Sequence, residues 1–275
     1  ILIIIKTGGT SVRIEPLTVD NLGEGIVCSN ASPHKEEFHE TLRAWLDAKR
    51  LRGQIARLDS GEVAGFVLYY PIEEAPIDVE GTGLYMVQCL YVKSEYQDIG
   101  VGKALIEMAI TDARENGVNG IAAEFFAPNT AHIHFMPEAT PEELGMQPVD
   151  SRDNAVLHYS AFNSSARPPR YMHPKFAPQE PAGGKIRIDI LDCRKCCTSI
   201  TNRDIVKTVI EKAQQGDIDL VVHDQGSREA VVEKGVSSGV FIDGRLTYFT
   251  RPVSEDEVWD AIEVARSARK LSYDR

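Results

Sequence analysis

The chain has no apolar run close to the ~18 residues that a membrane span requires. The stretch Ile1–Ile5, ahead of Lys6, is also too short for a signal-peptide core and reads as a buried or edge strand. Excess positive charge is absent too. The net charge of −11 argues against a general nucleic-acid binder, which needs a basic face, and no block of like charge marks a tail. Cysteine is scarce and odd in number. Cys28 and Cys89 stand alone, and Cys193, Cys196 and Cys197 cluster, which is not the framework of a disulfide-stapled secreted chain. A reducing cytoplasm is the expected compartment, with the cluster reactive or metal-binding. There is no internal repeat, and no low-complexity tract beyond one proline-rich segment.

The remainder is the composition of a soluble globular protein, 43% hydrophobic over 275 residues, enough for two ordinary domains. The stretch Asn163–Gly184 holds five prolines, ends in two glycines and has neither helical nor alternating period. It reads as a semi-rigid linker over 164–184, between a domain at 1–163 and another at 185–275. The first half predicts a short strand at Val12–Ile14 and a helix over Pro33–Lys49. A hairpin turns at Asp59–Glu62, and a central strand covers Leu84–Val92. A helix over Lys103–Glu115 follows, then strands at Gly120–Phe126 and Val156–Phe162. The second half predicts a strand "KIRIDIL", a helix over Asn202–Gln214, a strand "IDLVVHD", and a short helix capped by Ser227. A hairpin turning at Asp243-Gly244 and a helix opened by a Ser254/Glu257 capping box complete it. The fold class is mixed α/β in both halves.

The turn Gln97-Asp98-Ile99-Gly100-Val101-Gly102 sits between a strand and a helix. A helix start offers unpaired N–H groups and a positive dipole end, and glycines let an anion reach them, so the turn reads as a phosphate site. A third glycine for a dinucleotide fingerprint is missing, and Gly102-Lys103 is followed by Ala104 rather than the Ser/Thr of a P-loop. With its flanking strand and helix, "LYVKSEYQDIGVGKALIEMAI" resembles the acetyl-CoA-binding segment of the GNAT acyltransferases, whose pattern (Gln/Arg)-x-x-Gly-x-(Gly/Ala) is matched by Gln97, Gly100 and Gly102.

The resemblance covers roughly residues 12–162 and implies a GNAT-like mixed sheet. It implies that backbone amides of Gln97, Asp98, Ile99, Gly100, Val101, Gly102 and Lys103 hold the pyrophosphate of acetyl-CoA. Leu90–Val92 would splay from Gly120–Phe126, pantetheine bonding to backbone of Leu90 and Val92 in the gap. A strand N–H near Cys89–Tyr91 would meet the thioester oxygen, and Asn129 would contact pantetheine. The implied reaction is direct acetyl transfer to a small amine, with no nucleic acid or membrane partner and a homodimer left open. The family's tyrosine acid is missing, Met136 and Pro137 standing there, and the usual Leu-Gly-Phe is Leu144-Gly145-Met146. Glu124, interrupting an apolar strand, is the candidate base, and His134 is the other titratable candidate. A solvent-facing Glu and an ordinary surface or core His are the competing readings.

"DCRKCC" lies at a strand–helix junction, the position of a thioredoxin-type Cys193-x-x-Cys196. Arg194, Lys195 and the helix start favour a thiolate at Cys193, which is expected to be the most acidic thiol and to pair with Cys196. The second half resembles a small thioredoxin-like α/β domain, with Ser238 where the usual cis-proline would stand and Cys197 as an extra thiol. Redox exchange, binding of a soft ion by three thiolates and an inert or docking role all remain open. A structural zinc site is not expected, since His223 alone could complete one. A GNAT-like half joined to a thioredoxin-like half, together with "AHIHFM", is similar to the YoaP-type acetyltransferases. The alternative function is a thiol protein whose first half only senses CoA.

Overall fold

The computed structural model describes residues 3–7, 10–126, 141–153, 155–179, 184–213, 216–248 and 253–273. Asn129 and His134, with Met136 and Pro137, lie outside them. The chain forms two compact units, one of residues 1–75 and 79–171, the other of 76–78 and 172–275.

The first unit contains β1 (Ile3–Thr7), β2 (Thr10–Pro16), α1 (Leu22–Gly25), α2 (Lys35–Asp47), β3 (Arg52–Leu58), β4 (Val63–Pro71), β5 (Val79–Glu80) and β6 (Leu84–Val92). It continues with α3 (Val101–Glu115), β7 (Gly120–Phe126), β8 (Gln147–Arg152), β9 (Ala155–Ala161) and β10 (Arg170–Tyr171). Eight strands form one sheet in the order β1-β2-β3-β4-β6-β7-β9-β8. β6 and β7 run parallel, as α3 between them requires. Both faces are covered, so β4 is buried at eight consecutive positions instead of alternating. On one face α3 brings Val101, Leu105, Ile106 and Ala109 against Val67, Tyr69, Val87, Ile121 and Phe125. On the other, Trp45 of α2 rests edge-on against Tyr70, ring centroids 5.7 Å apart.

A polar lock fixes α3 to the sheet. Arg52 of β3 donates to both oxygens of Asp112 on α3, at 2.6 and 2.7 Å. The Tyr69 hydroxyl donates to Asp112 at 2.8 Å and accepts from Gln54 Nε2 at 3.0 Å. The hydrogen bond to Asp112 holds the Arg52 guanidinium protonated beyond its usual range, and burial keeps Tyr69 a neutral donor.

The second unit contains β11 (Ile186–Asp192), α4 (Cys197–Ala213), β12 (Ile218–Asp224), α5 (Arg228–Lys234), β13 (Gly239–Ile242), β14 (Arg245–Tyr248) and α6 (Glu255–Tyr273). Its sheet has the order β12-β11-β13-β14, with β11 and β12 parallel and the other pairs antiparallel. Ile188, Ile190, Val240 and Ile242 pack with Val206 and Val209 of α4 and Val258 and Ile262 of α6. The opposite face carries Leu191, Val236 and Phe241 with Phe176 packed on them. There Asp189, fully buried, accepts two bonds from Arg187 and lies 2.7 Å from His223 Nε2. The His223 ring is thus held by a buried carboxylate and packs edge-on against Phe176, centroids 5.1 Å apart.

Local signals account for the termini. Ser227 accepts from Ala230 N–H at 3.2 Å, and Ser254 and Glu257 exchange the capping-box bonds at 2.8 and 3.2 Å. Asp243 and Gly244 both take positive φ, 47° and 76°, as a two-residue hairpin turn demands.

The proline-rich segment, expected to be a semi-rigid linker over 164–184, carries a short strand and buried side chains. Arg170 and Tyr171 pair with Glu80 and Val79. Tyr171 and Met172 are buried, and the N–H groups of Lys175 and Phe176 donate to the Lys234 carbonyl. Prolines cost donors, but the large apolar residues between them still gain by leaving water. α4 also starts at Cys197, five residues before the expected Asn202.

Two outcomes follow. Asp112→Ala would leave the Arg52 guanidinium and the Tyr69 O–H without their carboxylate acceptor, costing about 3 kcal/mol. Urea unfolding measures it, and a loss below about 0.5 kcal/mol would make the lock incidental. Burial holds the His39 pKa below its ordinary value, and its Nε2 sits 2.8 Å from the buried Ser29 Oγ. The unfolded chain takes up a proton near pH 6.5 while the folded chain resists it, so stability is full above about 6.5 and declines as pH falls below it. His39→Gln keeps a donor without the titration. Its melting temperature should fall less between pH 7 and 5.5 than that of the wild type, and equal slopes would exclude His39 as a source.

Candidate functional site

β6 and β7 pair only from Leu84↔Gly120 to Val87↔Ala123. Beyond that β7 continues against β9 and β6 against β4, so the two strands part. The cause is visible in β6. Opposite Leu68 and Tyr69 stand Cys89 and Val87, leaving Gln88 as an extra residue in a bulge at the parting point.

The bulge decides which backbone faces the gap. Lys93 N–H donates to the Ala64 carbonyl of β4 at 2.9 Å, and a side chain at Gly65 would strike the Tyr91 carbonyl at 2.4 Å. Tyr91 and Lys93 thus turn their peptide groups to β4. By alternation Leu90 and Val92 turn theirs to the open side. The Leu90 and Val92 side chains pack on the α3 core. Of the three strand residues expected to meet a cofactor, Leu90 and Val92 present backbone to the gap and Tyr91 does not. The Tyr91 ring stacks on Phe66, centroids 5.9 Å apart, and burial pushes its hydroxyl pKa up.

The turn that follows is anchored from both ends. Glu62, at the tip of the β3–β4 hairpin, meets Lys93 Nζ at 2.6 Å and accepts from the Tyr96 hydroxyl at 3.0 Å. Those two partners hold the Glu62 carboxyl below its usual range, Lys93 foremost. Gln97 Nε2 donates to the Val92 carbonyl at 3.0 Å, so the Gln97 side chain ties the turn to the strand end instead of facing a ligand. Asp98 and Gly100 take positive φ, 58° and 87°. Gly100 is the N-cap of α3 and no side chain caps the helix. The amides of the first turn, through Val101, Gly102 and Lys103, therefore have no intrahelical acceptor. At Gly102 a Cβ would meet only Leu90 and Val92 side chains, at 3.6 and 3.7 Å, ordinary contact. Nothing inside the fold demands glycine there, whereas the close approach of a ligand would. Lys103 Nζ pairs with Glu143 at 3.1 Å on the surface. A bulge-opened gap with two backbone edges, running into an uncapped helix start, fits an extended ligand that ends in a phosphate.

Glu124 is the first residue of β7 past the parting point. Ile121, Ala123 and Phe125 face the α3 core, so Glu124 points to the opposite face, where the Tyr171 hydroxyl donates to its Oε1 at 2.9 Å. Sequence reasoning placed Glu124 but missed Tyr171, which lies 47 positions on in a segment without period. It also missed Gln88 and Glu62.

Residues 20–138 match the sequence model of the Acetyltransferase (GNAT) family. The match supports a GNAT-family acetyltransferase. It includes the parted strands and the turn. Among curated proteins, the Uncharacterized N-acetyltransferase YoaP of Bacillus subtilis (strain 168) is 26% identical over 106 residues, which are 38% of this chain and 42% of that relative. Among solved structures, the GNAT domain of S. lividans PAT is 20% identical with a TM-score of 0.45, covering 58% of this chain and 97% of that one. A GNAT family acetyltransferase from Brucella melitensis, solved in complex with acetyl-CoA, is 18% identical with a TM-score of 0.39, covering 57% and 91%. Among the described residues no helix is long and apolar enough to cross a membrane.

The thiols depart from expectation. Cys193, expected to be the most acidic, is fully buried, and burial pushes its pKa up against the pull of Lys195. Its Sγ lies 3.8 Å from Ser199 Oγ. The helix start belongs to the other two cysteines: the Cys196 carbonyl accepts the first bonds of α4, and Cys197 is its first residue. The neighbouring Cys197 thiol and burial push the Cys196 pKa well above its usual range. Among the described residues no three His, Cys, Asp or Glu side chains gather as metal ligands. Alkylation near neutral pH, mapped by mass, should modify Cys197 first and Cys193 last, by about tenfold or more. Labelling of Cys193 first would show that its burial does not govern its reactivity.

Proposed function

We propose that the first unit is an N-acyltransferase that moves the acetyl group of acetyl-CoA directly to the nitrogen of a small amine. The observation that carries this reading is the joining of the β6–β7 gap to the uncapped α3 start, inside the stretch that matches an acetyltransferase family. The amides of Ile99 to Lys103 would hold the pyrophosphate, and the backbone edges of Leu90 and Val92 the pantetheine arm. The acetyl group arrives as a thioester. The amine nitrogen forms the new C–N bond as the C–S bond breaks, and the amine's proton must go to a base. Glu124, half-buried at the parting point, would take it.

A second reading concerns the other unit. The order β11-α4-β12-α5-β13-β14-α6, with its parallel first pair, supports a thioredoxin-like domain. The cluster of Cys193, Cys196 and Cys197 at the β11–α4 junction supports thiol chemistry there. In that case the first unit would only sense CoA.

Thiol release from acetyl-CoA in the presence of a panel of amines separates the two, since binding without turnover favours the sensor. Gly102→Asp supplies the decisive variant. Its position has room for a Cβ and lies in ordinary helical conformation, so the fold should persist. Its carboxylate would occupy the anion site, and acetyl-CoA affinity by calorimetry should fall at least about 100-fold, some 2.7 kcal/mol. Unchanged affinity would remove the turn from the CoA site.

A further inference from the structure

Tyr171 comes from the proline-rich segment, yet it is buried and held at several points. Its N–H donates to Asp150 Oδ2 at 2.8 Å, its ring lies under the Arg152 guanidinium at 4.4 Å, and its hydroxyl donates to Glu124 Oε1 at 2.9 Å. Asp150 and Arg152 belong to β8, and β10 pairs with β5. The hydroxyl is thus set by backbone pairing, the cation over its ring and a main-chain bond, and it meets Oε1 of the carboxylate at the first position beyond the parting of β6 and β7. A donor aimed at a carboxylate stabilises the ionised form and restricts its rotamer.

We propose that Tyr171 is the positioning residue for Glu124, holding its carboxylate ionised and in one orientation at the mouth of the gap so that it can accept the acceptor amine's proton. This rests on the acyltransferase reading above. In the transfer the amine nitrogen bonds the carbonyl carbon and the C–S bond breaks. The amine's proton passes to Glu124, and the departing thiolate takes one from water. Tyr171 keeps its own proton throughout and touches neither substrate nor acetyl group. Loss of its O–H leaves Glu124 easier to protonate, so turnover needs a higher pH. Arg152 and Asp150 act through Tyr171: the cation over the ring favours an electron-rich face, and Asp150 fixes the main chain.

The test uses the full chain with Tyr171→Phe, which removes only the hydroxyl. Tyr159→Phe serves as control, because the buried Tyr159 hydroxyl has no hydrogen-bond partner among the described residues. Two readouts are needed. The Glu124 carboxyl is titrated by carbon NMR without acetyl-CoA, and the pH profile of kcat is recorded with any amine the wild type acetylates. The expectation is that Tyr171→Phe raises the Glu124 midpoint by about one pH unit, moving the acidic limb of kcat by the same amount. Turnover then falls about tenfold below the limb and stays within twofold above it, with KM for acetyl-CoA unchanged. Tyr159→Phe should move neither. An unmoved Glu124 midpoint in Tyr171→Phe overturns the proposal, and so does a moved midpoint with an unmoved kcat limb. If the wild type transfers no acetyl group to any amine, the acyltransferase reading falls, and the base role of Glu124 falls with it. The NMR titration still decides by itself whether Tyr171 sets the carboxylate.

Discussion

The constraint on which the first unit depends is one unpaired residue, Gln88. A strand of nine residues lies between β4 and β7 and cannot stay in register with both once the bulge is inserted. It keeps β4 and gives up β7. The peptide groups of Leu90 and Val92 are thereby turned to a side with no strand partner. There the Val92 carbonyl is met by the Gln97 side chain, and peptide groups that no strand pairs are retained where something else binds them. The helix start lies beside the parted strand, Gly102 standing next to the Leu90 and Val92 side chains, so that gap and helix start adjoin.

Such a site works only if its walls do not relax. α3 carries the anion end, and its position is fixed at the far end of the helix by the Arg52–Asp112–Tyr69 contacts, three turns from Gly100. The near end is fixed by Glu62 holding Lys93 and Tyr96, and by Gln97 holding the Val92 carbonyl. Each surface pair contributes little alone. Their placement on both sides of a glycine-rich turn limits how far the amides can move, and that pre-organisation lowers the ordering cost on binding.

The turn was legible in the sequence because glycine at a helix start has a local physical meaning, and the flanking elements showed their own periods. The core helices, the hairpin tips and the caps at Ser227 and Ser254 were legible for the same reason. The bulge was not, since Gln88 in an apolar strand looks like any polar interruption, and bulges follow from pairing with a neighbour. The Tyr171–Glu124 contact joins residues 47 positions apart through a two-residue strand too short to have a period. Phe176 was hidden similarly: among prolines it read as linker, but it covers Leu191, Val236 and Phe241.

Cys193 shows how a local rule fails by magnitude. Its neighbours Arg194 and Lys195, and the nearness of a helix start, all favour a thiolate. A helix terminus contributes about 0.3–1 kcal/mol at exposed sites, less than one pH unit, and fades within a turn. α4 begins four residues later, at Cys197, so Cys193 stands outside that turn. Complete burial disfavours the charged form by up to several pH units. The larger effect wins, and the acidity inferred from the Cys-x-x-Cys spacing does not reach the first cysteine. The terminus acts instead on Cys196 and Cys197, which stand at the start of α4. The spacing alone could not rank the three thiols, because the ranking depends on where the helix begins and which sulfur the core covers.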